Sequence, residues 1–219
     1  MKTSTAGLMA LTAHEGIVLS RYKDSVGVWT IGIGHTKAAG NPDPATFAGS
    51  LMIGEAFGLL RHDIMKYEAD VNRAVKVPLA QHEFDALVSF HYNTGQIGRA
   101  SFVKRLNAGD RAGAIKGIMD WRKPPEIIPR RAAERDLFKT GVYPAPFATV
   151  YPADKNGRVQ WGQGKRVDLR NSLGGPLPVQ PIPPPTAAPP APVVPVPAPV
   201  VVPEPVKKPG LVGWIKGWF

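Results

Sequence analysis

The stretch HEGIVLSRYKDSVGVWTIGIGHT, residues 14–36, decides how the N-terminal part of the chain folds. It holds two short runs rich in β-branched and aromatic residues, 17–22 and 28–33, on either side of a polar turn. Runs of this kind predict two strands joined as a hairpin. The hairpin places Asp24 at its tip and Thr30 in its second strand.

Residues 3–14 lead into this hairpin and predict a helix, with Ser4 or Thr5 as the N-cap and Gly16 as the stop. Glu15 therefore lies at the C-terminal end of a helix. A carboxyl group there faces the negative end of the helix dipole, which favours its protonated form. That is the form a general acid needs.

Glu15, Asp24 and Thr30 together indicate a site for cleaving sugars. An acetal bond is cleaved by a proton donor on one side and a carboxylate on the other. The reaction therefore requires at least two acidic side chains that face one cleft. The hydroxyl of Thr30 is placed to hold a water near Asp24. Taken singly, an aspartate in a turn and a threonine in a strand are ordinary residues for those positions.

The motif TIGIGH at 30–35 resembles the T-x-G-x-G-H of the phage-type lysozymes of glycoside hydrolase family 24. These enzymes carry a Glu, an Asp or Cys, and a Thr at the spacing seen here. The resemblance covers about two thirds of the chain in the family's order, and its further segments are QHEFDALVSFHYNTG (81–95), SFVKRLNAGD (101–110), Trp121 and RRAAERDLFKTG (130–141).

The resemblance implies an endolysin-like muramidase that hydrolyses the β-1,4 bond between N-acetylmuramic acid and N-acetylglucosamine in peptidoglycan, for bacterial cell lysis. Glu15 would then be the general acid and Asp24 the base or electrostatic stabiliser. Thr30 would position the nucleophilic water. Inversion and retention both stay open, because the separation of the two carboxylates decides between them.

The resemblance also implies supporting residues. Asn93 would face the cleft and bind substrate, and the guanidinium of Arg130 would hydrogen-bond Glu15. His35 would pair with Asp63 of the next helix and so attach the hairpin to the second lobe. A histidine after a glycine-rich strand is also a candidate base or metal ligand, but we favour the structural pair.

The predicted fold is α+β and predominantly helical: a lysozyme-like, two-lobed domain with a small β-hairpin lobe, a long connecting helix and a helical C-terminal lobe. The connecting helix follows a loop at 36–50, and its apolar stripe comprises Phe57, Leu60, Ile64, Tyr67, Val71 and Val75. Further helices are predicted at 81–91, 101–107, 110–122 and 130–140, with Ser101 and Asp110 as N-caps.

We divide the chain into a catalytic domain (1–147), an irregular connecting segment (148–175), a Pro-rich linker (176–209) and an aromatic tail (210–219). The linker contains 15 of the 24 prolines, which predicts a disordered, extended polyproline II segment. It serves either as an inert spacer or as a docking site for a partner.

The C-terminal sequence KKPGLVGWIKGWF, residues 207–219, is basic and aromatic. Trp214, Ile215 and Trp218 recur at helical spacing, which predicts contact with an anionic membrane surface. The segment is too short to span a bilayer. Alternatively, it packs back onto the catalytic domain.

Charge and composition narrow the partners. With 27 Lys and Arg against 17 Asp and Glu, the net charge is +10, which favours an anionic target such as the cell wall. We expect no nucleic acid partner, because zinc-finger and RNA-binding motifs are missing from the sequence. We expect no cofactor and no metal, because the five histidines lack zinc-site spacing. We also expect a monomer. The sequence has no cysteine, which excludes disulfides.

The apolar patch at the N-terminus is shorter than the apolar region of a usual signal peptide. We therefore expect a protein made in the cytoplasm that acts on the periplasmic or extracellular wall after release. A second function stays open: a non-lytic wall-binding or local wall-remodelling protein, associated with a larger assembly through its tail.

Overall fold

The computed structural model describes residues 1–172. In this part of the chain, helices predominate and two small antiparallel sheets accompany them. The predominantly helical α+β fold predicted from the sequence is confirmed. The predictions for the Pro-rich linker (176–209) and for the tail with Trp214, Ile215 and Trp218 lie outside the described residues.

Helix α1 spans Thr5–Glu15. Ser4 is its N-cap, and the Ser4 hydroxyl accepts a hydrogen bond from the amide of Gly7 at 3.0 Å. The helix ends at Gly16, whose φ of +73° lies in the region that favours glycine. The chain therefore turns directly after Glu15.

The predicted hairpin is present. Strand β1 spans Val18–Lys23 and pairs antiparallel with β2, Trp29–Gly32, which in turn pairs with β3, His35–Thr36. Tyr22 lies opposite Thr30 in this register, and the pairing is irregular between Val18 and Tyr22. The turn that carries Asp24 therefore closes one end of a three-stranded sheet.

The long connecting helix was predicted as one element, but the structure divides it in two. Helix α2 spans Ile53–Asp63 and α3 spans Met65–Ala74. The break lies at Ile64, where ψ is −13° and the turn tightens, although Ile64 still donates to the carbonyl of Leu60 at 3.0 Å. Periodicity did not reveal the break, because the buried stripe continues through it.

The C-terminal lobe contains four helices, and their bounds are Gln81–Thr94 for α4, Ser101–Asn107 for α5, Arg111–Ile118 for α6 and Ile128–Thr140 for α7. Asp110 caps α6 as predicted and accepts from the amide of Gly113 at 2.7 Å. The prediction for Ser101 was wrong. Ala100 occupies the N-cap position of α5, and Ser101 is its first helical residue.

Residues 148–175 were predicted to be an irregular connection, but their described part is ordered into secondary structure. Strand β4, Phe147–Val150, pairs antiparallel with β5, Lys165–Asp168, and a one-turn helix α8 follows at Leu169–Ser172. The strands are short and lack a clear alternation of apolar residues. A tertiary contact supports them, because the amide of Ile17 donates to the carbonyl of Thr149 at 2.9 Å.

Two clusters of buried side chains form the core. The first joins α1, the hairpin and α2, and it includes Leu11, Ile31, Leu60 and also Leu169 from beyond the sheet. The second lies among the C-terminal helices, and its large members include Val71, Phe84, Phe90, Phe102, Leu106 and Phe138. Because α2 contributes to the first cluster and α3 to the second, this helix pair connects two lobes, as predicted.

Candidate active site

Glu15 is held by an arginine from the opposite lobe. Arg130, in the first turn of α7, donates through Nη1 to Glu15 Oε1 at 2.7 Å. The same guanidinium donates through Nε to Glu134 Oε1 at 3.0 Å and through Nη2 to the carbonyl of Ser89 at 3.3 Å. The Glu15 side chain keeps 25% of its surface exposed, so it is fixed in position and still accessible.

The guanidinium of Arg130 stays charged despite its burial. Burial lowers its pKa, but the negative charges of Glu15 and Glu134 outweigh that effect and raise the pKa above the ordinary value. A permanent positive charge therefore lies against Glu15, at the end of α1. This is the contact that the family resemblance implied.

Glu134 is the centre of this buried cluster. Its side chain accepts hydrogen bonds from Arg130, from Arg131 and from the Ser89 hydroxyl, the last at 2.8 Å. Arg131 has no exposed surface, and its Nη2 donates to Asn93 Oδ1 at 2.5 Å. The cluster thus joins α7 to α4 and connects exposed Asn93 with Glu15 through two arginines and one glutamate.

Asp24 is ordered by its own turn. Its Oδ1 accepts from the amides of Val26 at 2.9 Å and Val28 at 2.8 Å. Asx turns of this kind hold the side chain against the backbone. Both hydrogen bonds use the same carboxylate oxygen, so the turn fixes the orientation of the Asp24 carboxylate.

Thr30 is more buried than expected, with 2% of its surface exposed. Both faces of β2 are covered by other parts of the fold. The Thr30 hydroxyl donates to the carbonyl of Val28 at 3.1 Å, and the amide of Val28 bonds Asp24. Val28 therefore links the two side chains, and the Thr30 oxygen can still accept a hydrogen bond.

Tyr22 lies in the electrostatic field of both acids. Burial, together with the negative charges of Glu15 and Asp24, raises its pKa to about 12. The pKa of Tyr92 is raised as well, by burial and then by the charge of Glu15. Both phenols are therefore neutral at physiological pH, and the Tyr92 hydroxyl donates to the carbonyl of Ile33 at 3.0 Å.

His35 forms the pair with Asp63 that the resemblance implied. Its Nδ1 lies 2.8 Å from Asp63 Oδ2, its Nε2 lies 3.0 Å from the carbonyl oxygen of Pro42, and 1% of its surface is exposed. Burial lowers its pKa, but Asp63 outweighs burial and the net shift is upward. Both ring nitrogens have protein partners, which fits a structural pair that joins β3 to α2.

The pKa of His14, the neighbour of Glu15, shifts in the opposite direction. Burial and the positive charges of Arg130 and Arg131 lower its pKa to about 4. His14 is therefore neutral near pH 7.

Sequence reasoning missed Glu134, Arg131, Ser89 and Tyr22. A signal for the first two is present in RRAAE, residues 130–134, because a glutamate three and four residues after two arginines lies beside both on a helix. Ser89 and Tyr22 carry no comparable signal, since contacts across the fold bring them to the site.

Two features are missing from residues 1–172. Within this range, His, Asp and Glu side chains form no group of three or more that could hold a metal ion. The same range includes no helix with the length and apolarity needed to cross a membrane.

Comparisons with known proteins agree with this geometry. The sequence pattern of the phage lysozyme family matches residues 12–134. The endolysin of Acyrthosiphon pisum secondary endosymbiont phage 1 is 36% identical over 151 residues, which cover 64% of this chain and 99% of that protein.

Solved structures give the same result. The endolysin from Escherichia coli O157:H7 phage FAHEc1 has a TM-score of 0.60 and 35% identity, over 66% of this chain and 97% of its own. The muramidase domain of SpmX from Asticaccaulis excentricus has a TM-score of 0.56 and 32% identity, over 64% of this chain and 98% of its own.

Fold and site together define a lysozyme-like glycoside hydrolase: a glutamate at a helix end, an aspartate on a hairpin tip and two lobes joined by helices. The match over residues 12–134 then identifies the family. The chain belongs to the phage lysozyme family. It is a peptidoglycan-hydrolysing muramidase of the endolysin type, and it acts on the cell wall after release.

Proposed function

We propose that Glu15 is the general acid of this muramidase, that Asp24 is its base or electrostatic stabiliser and that Thr30 positions the attacking water. Glu15 donates its proton to the glycosidic oxygen as the bond to the anomeric carbon breaks. The developing positive charge on the sugar is stabilised by the Asp24 carboxylate. Water adds to the anomeric carbon, and its proton passes to a carboxylate of the pair.

The observation that carries this proposal is the common environment of Glu15 and Asp24. The negative charges of both carboxylates raise the pKa of the Tyr22 phenol, and Tyr22 lies opposite Thr30 in the paired strands. Glu15 is also held by Arg130 while a quarter of its side chain remains exposed. A fixed and accessible acid near a second carboxylate is the arrangement that glycoside hydrolysis needs.

We propose that Asn93 contributes to substrate binding. Its backbone lies in the last turn of α4, and the residue is exposed. The hydrogen bond from Arg131 to its Oδ1 holds the amide in one orientation. An oriented amide suits recognition of the N-acetyl groups on both sugars of the glycan, because it can donate and accept hydrogen bonds.

The test is the release of new reducing ends from purified peptidoglycan by wild type, Glu15→Gln and Asp24→Asn. Asp120→Asn, at an exposed position after α6, is the matched control for removal of a carboxylate. We expect Glu15→Gln to lower the rate by about 10²–10⁴-fold, the usual contribution of general acid catalysis. The control should keep wild-type activity.

Full activity in Glu15→Gln would refute the assignment of the acid. If wild type sediments with the wall and releases no reducing ends, the alternative of a non-lytic wall-binding protein is supported instead. The anomeric configuration of the first product, read by NMR, then separates inversion from retention and so defines the role of Asp24.

We also propose that residues 207–219 bring the enzyme to an anionic membrane. The support is the sequence alone: lysines beside Trp214, Ile215 and Trp218 at helical spacing. Truncation after Gly175 should abolish binding to anionic liposomes and leave the melting temperature unchanged. A lower melting temperature with unchanged liposome binding would instead support packing of this tail on the catalytic domain.

A further inference from the structure

The sheet of β4 and β5 lies beyond the residues that match the family pattern, which end at 134. Together with β1 and the start of α2 it forms a groove of about 600 Å³. This volume is within the usual range for ligand sites, roughly 300–1,000 Å³. The family match therefore covers the side of the groove formed by β1 and α2, and the side formed by β4 and β5 lies beyond it.

Two aromatic side chains mark one end of the groove. Tyr151 lines it, and the ring of Trp161 packs against Tyr151 with centroids 4.9 Å apart at an angle of 67°. Trp161 exposes 68% of its surface, which is unusual for a residue of this size. An exposed indole presents a flat apolar face, and the C–H face of a pyranose ring stacks on such a surface.

Glycines allow this aromatic pair to sit where it does. A Cβ on Gly164 would lie 2.6 Å from the Tyr151 ring, and one on Gly16 would lie 3.1 Å from the same ring. Tyr151 therefore packs directly on the residue after Glu15. The aromatic end of the groove is adjacent to the backbone that carries the catalytic acid.

The rest of the groove combines apolar walls with a polar rim. Leu19, Ile53 and Val167 form the walls, and Ser20, Gln163 and Lys165 lie among them. Hydroxyl, amide and ammonium groups can hydrogen-bond the hydroxyls and N-acetyl groups of a sugar chain. Lys165 also complements the negative charge of the cell wall.

Backbone hydrogen bonds fix this region to both ends of β1. The amide of Tyr151 donates to the carbonyl of Ile17 at 2.8 Å, two residues after Glu15. The amide of Lys23 donates to the carbonyl of Gly157 at 2.8 Å, one residue before Asp24. A chain bound in the groove would thus be held in a fixed relation to both acids.

We propose that this groove is an additional binding site for the glycan strand of peptidoglycan, with Trp161 and Tyr151 as the stacking surface and Gln163 and Lys165 as hydrogen-bonding groups. The proposal rests on peptidoglycan as the substrate. It adds a second contact with the wall, and its stacking and hydrogen-bonding residues lie beyond residue 134, where the family match ends. Two contacts on one strand lengthen the time an enzyme stays bound.

The experiment measures binding without hydrolysis. All proteins are full-length and carry Glu15→Gln, and they are titrated against purified peptidoglycan by sedimentation. Trp161→Ala and Lys165→Ala are compared with Lys104→Ala, which removes an exposed lysine from α5 in the other lobe. We expect Trp161→Ala to weaken binding about tenfold, as loss of an aromatic anchor commonly does, and Lys104→Ala to change it little.

A hexamer of N-acetylglucosamine is the second probe. It should compete with peptidoglycan for the parent protein and lose most of that effect in Trp161→Ala. The contrary result is that the hexamer fails to compete in the parent protein while Trp161→Ala still weakens sedimentation. That result would overturn the glycan assignment and indicate that the groove binds a stem peptide.

A different outcome would also overturn the proposal. Trp161→Ala could bind the wall like the Lys104→Ala control and have a lower melting temperature. Trp161 would then stabilise the fold rather than bind glycan. The release of reducing ends by wild type is measured separately, so failure of the proposed chemistry and failure of this groove give different results.

Discussion

At the scale of single residues, the site depends on charges that are buried together. Arg131 is fully buried and Glu134 exposes 2% of its surface, so neither charge is compensated by water. Arg130 connects this pair to Glu15. Such a cluster positions a carboxylate firmly, because moving one member would leave another buried charge without its partner.

Glu134→Gln tests that cluster. The substitution keeps the shape of the side chain and removes the charge that faces Arg130 and Arg131. We expect a loss of about 3–5 kcal/mol in the free energy of unfolding, the usual cost of breaking a buried ion pair. Chemical denaturation measures it, with Glu126→Gln at an exposed position as the control. Equal free energies of unfolding for both variants would show that the charge of Glu134 does not stabilise the fold.

His14 gives a first prediction about pH. Its pKa is lowered to about 4 in the fold, whereas an unfolded histidine titrates near 6.5. The unfolded state therefore binds more protons between these values, and the fold loses stability as the pH falls from 6.5 to about 4. His14→Gln should lose less stability over that window than wild type, as measured by melting temperature. If the melting temperatures of the two proteins fall equally with pH, the lowered pKa of His14 is contradicted.

The contribution of His35 to stability should depend on pH in the opposite direction. Its pKa is raised by Asp63, so its contribution to stability is fully present below pH 6.5 and declines as the pH rises through the folded pKa. We expect His35→Asn to cost more stability at pH 5.5 than at pH 8.5, while peptidoglycan hydrolysis remains measurable. Complete loss of activity with an unchanged melting temperature would indicate a catalytic role for His35 instead.

At the scale of elements, the sheet of β4 and β5 supports the catalytic hairpin. The turn at Gly157 packs on Trp29, whose ring also contacts the cations of Arg21 and Lys23 at 4.9 and 5.1 Å from its centroid. The same turn accepts the hydrogen bond of the Lys23 amide. These contacts brace β1 and β2 at the end that carries Asp24.

Gly157→Ala tests this support. Gly157 has a φ of +80°, and a Cβ there would lie 2.6 Å from a ring carbon of Trp29. We expect a loss of about 1–3 kcal/mol in the free energy of unfolding, from backbone strain and displacement of the ring. Gly162→Ala is the matched control, because a Cβ at Gly162 meets no atom within 4 Å. Equal effects of the two changes would mean that the turn does not brace the hairpin.

The helices were largely predictable because their apolar residues recur with helical period and their ends carry recognisable caps, such as Asp110. The break at Ile64 and the cap at Ala100 were not, since neither changes the apolar pattern. The strands β4 and β5 were missed for a related reason. They are four residues each, and the hydrogen bond between Ile17 and Thr149 of β4 joins residues far apart in sequence.

At the scale of the whole molecule, net charge governs the approach to the wall. The charge of +10 steers the protein toward an anionic polymer, and salt screens that attraction over a Debye length of about 10 Å at 0.1 M. We expect the rate of peptidoglycan solubilisation to fall as salt rises. Binding of a short, uncharged N-acetylglucosamine oligomer should change much less. Equal salt dependence of peptidoglycan solubilisation and of oligomer binding would rule out steering by charge.

The sequence by itself determined the types and order of the residues that carry chemistry. The end of α1, the hairpin tip and the motif at residues 30–35 depend on local interactions, so Glu15, Asp24 and Thr30 could be placed on their elements from neighbouring residues alone. The resemblance then supplied the pairs Arg130 with Glu15 and His35 with Asp63. Hydrogen bonds of 2.7 and 2.8 Å join these pairs in the structure.

Only the tertiary structure decided how these residues are held. Glu134 and Arg131 lie in the site because α7 packs on α4, and the charges of both acids act on Tyr22 because the fold buries its phenol in their field. The groove beside Tyr151 exists because a sheet from the end of the described chain bonds to Ile17. Burial and hydrogen bonds between distant segments depend on packing, which local sequence patterns do not encode.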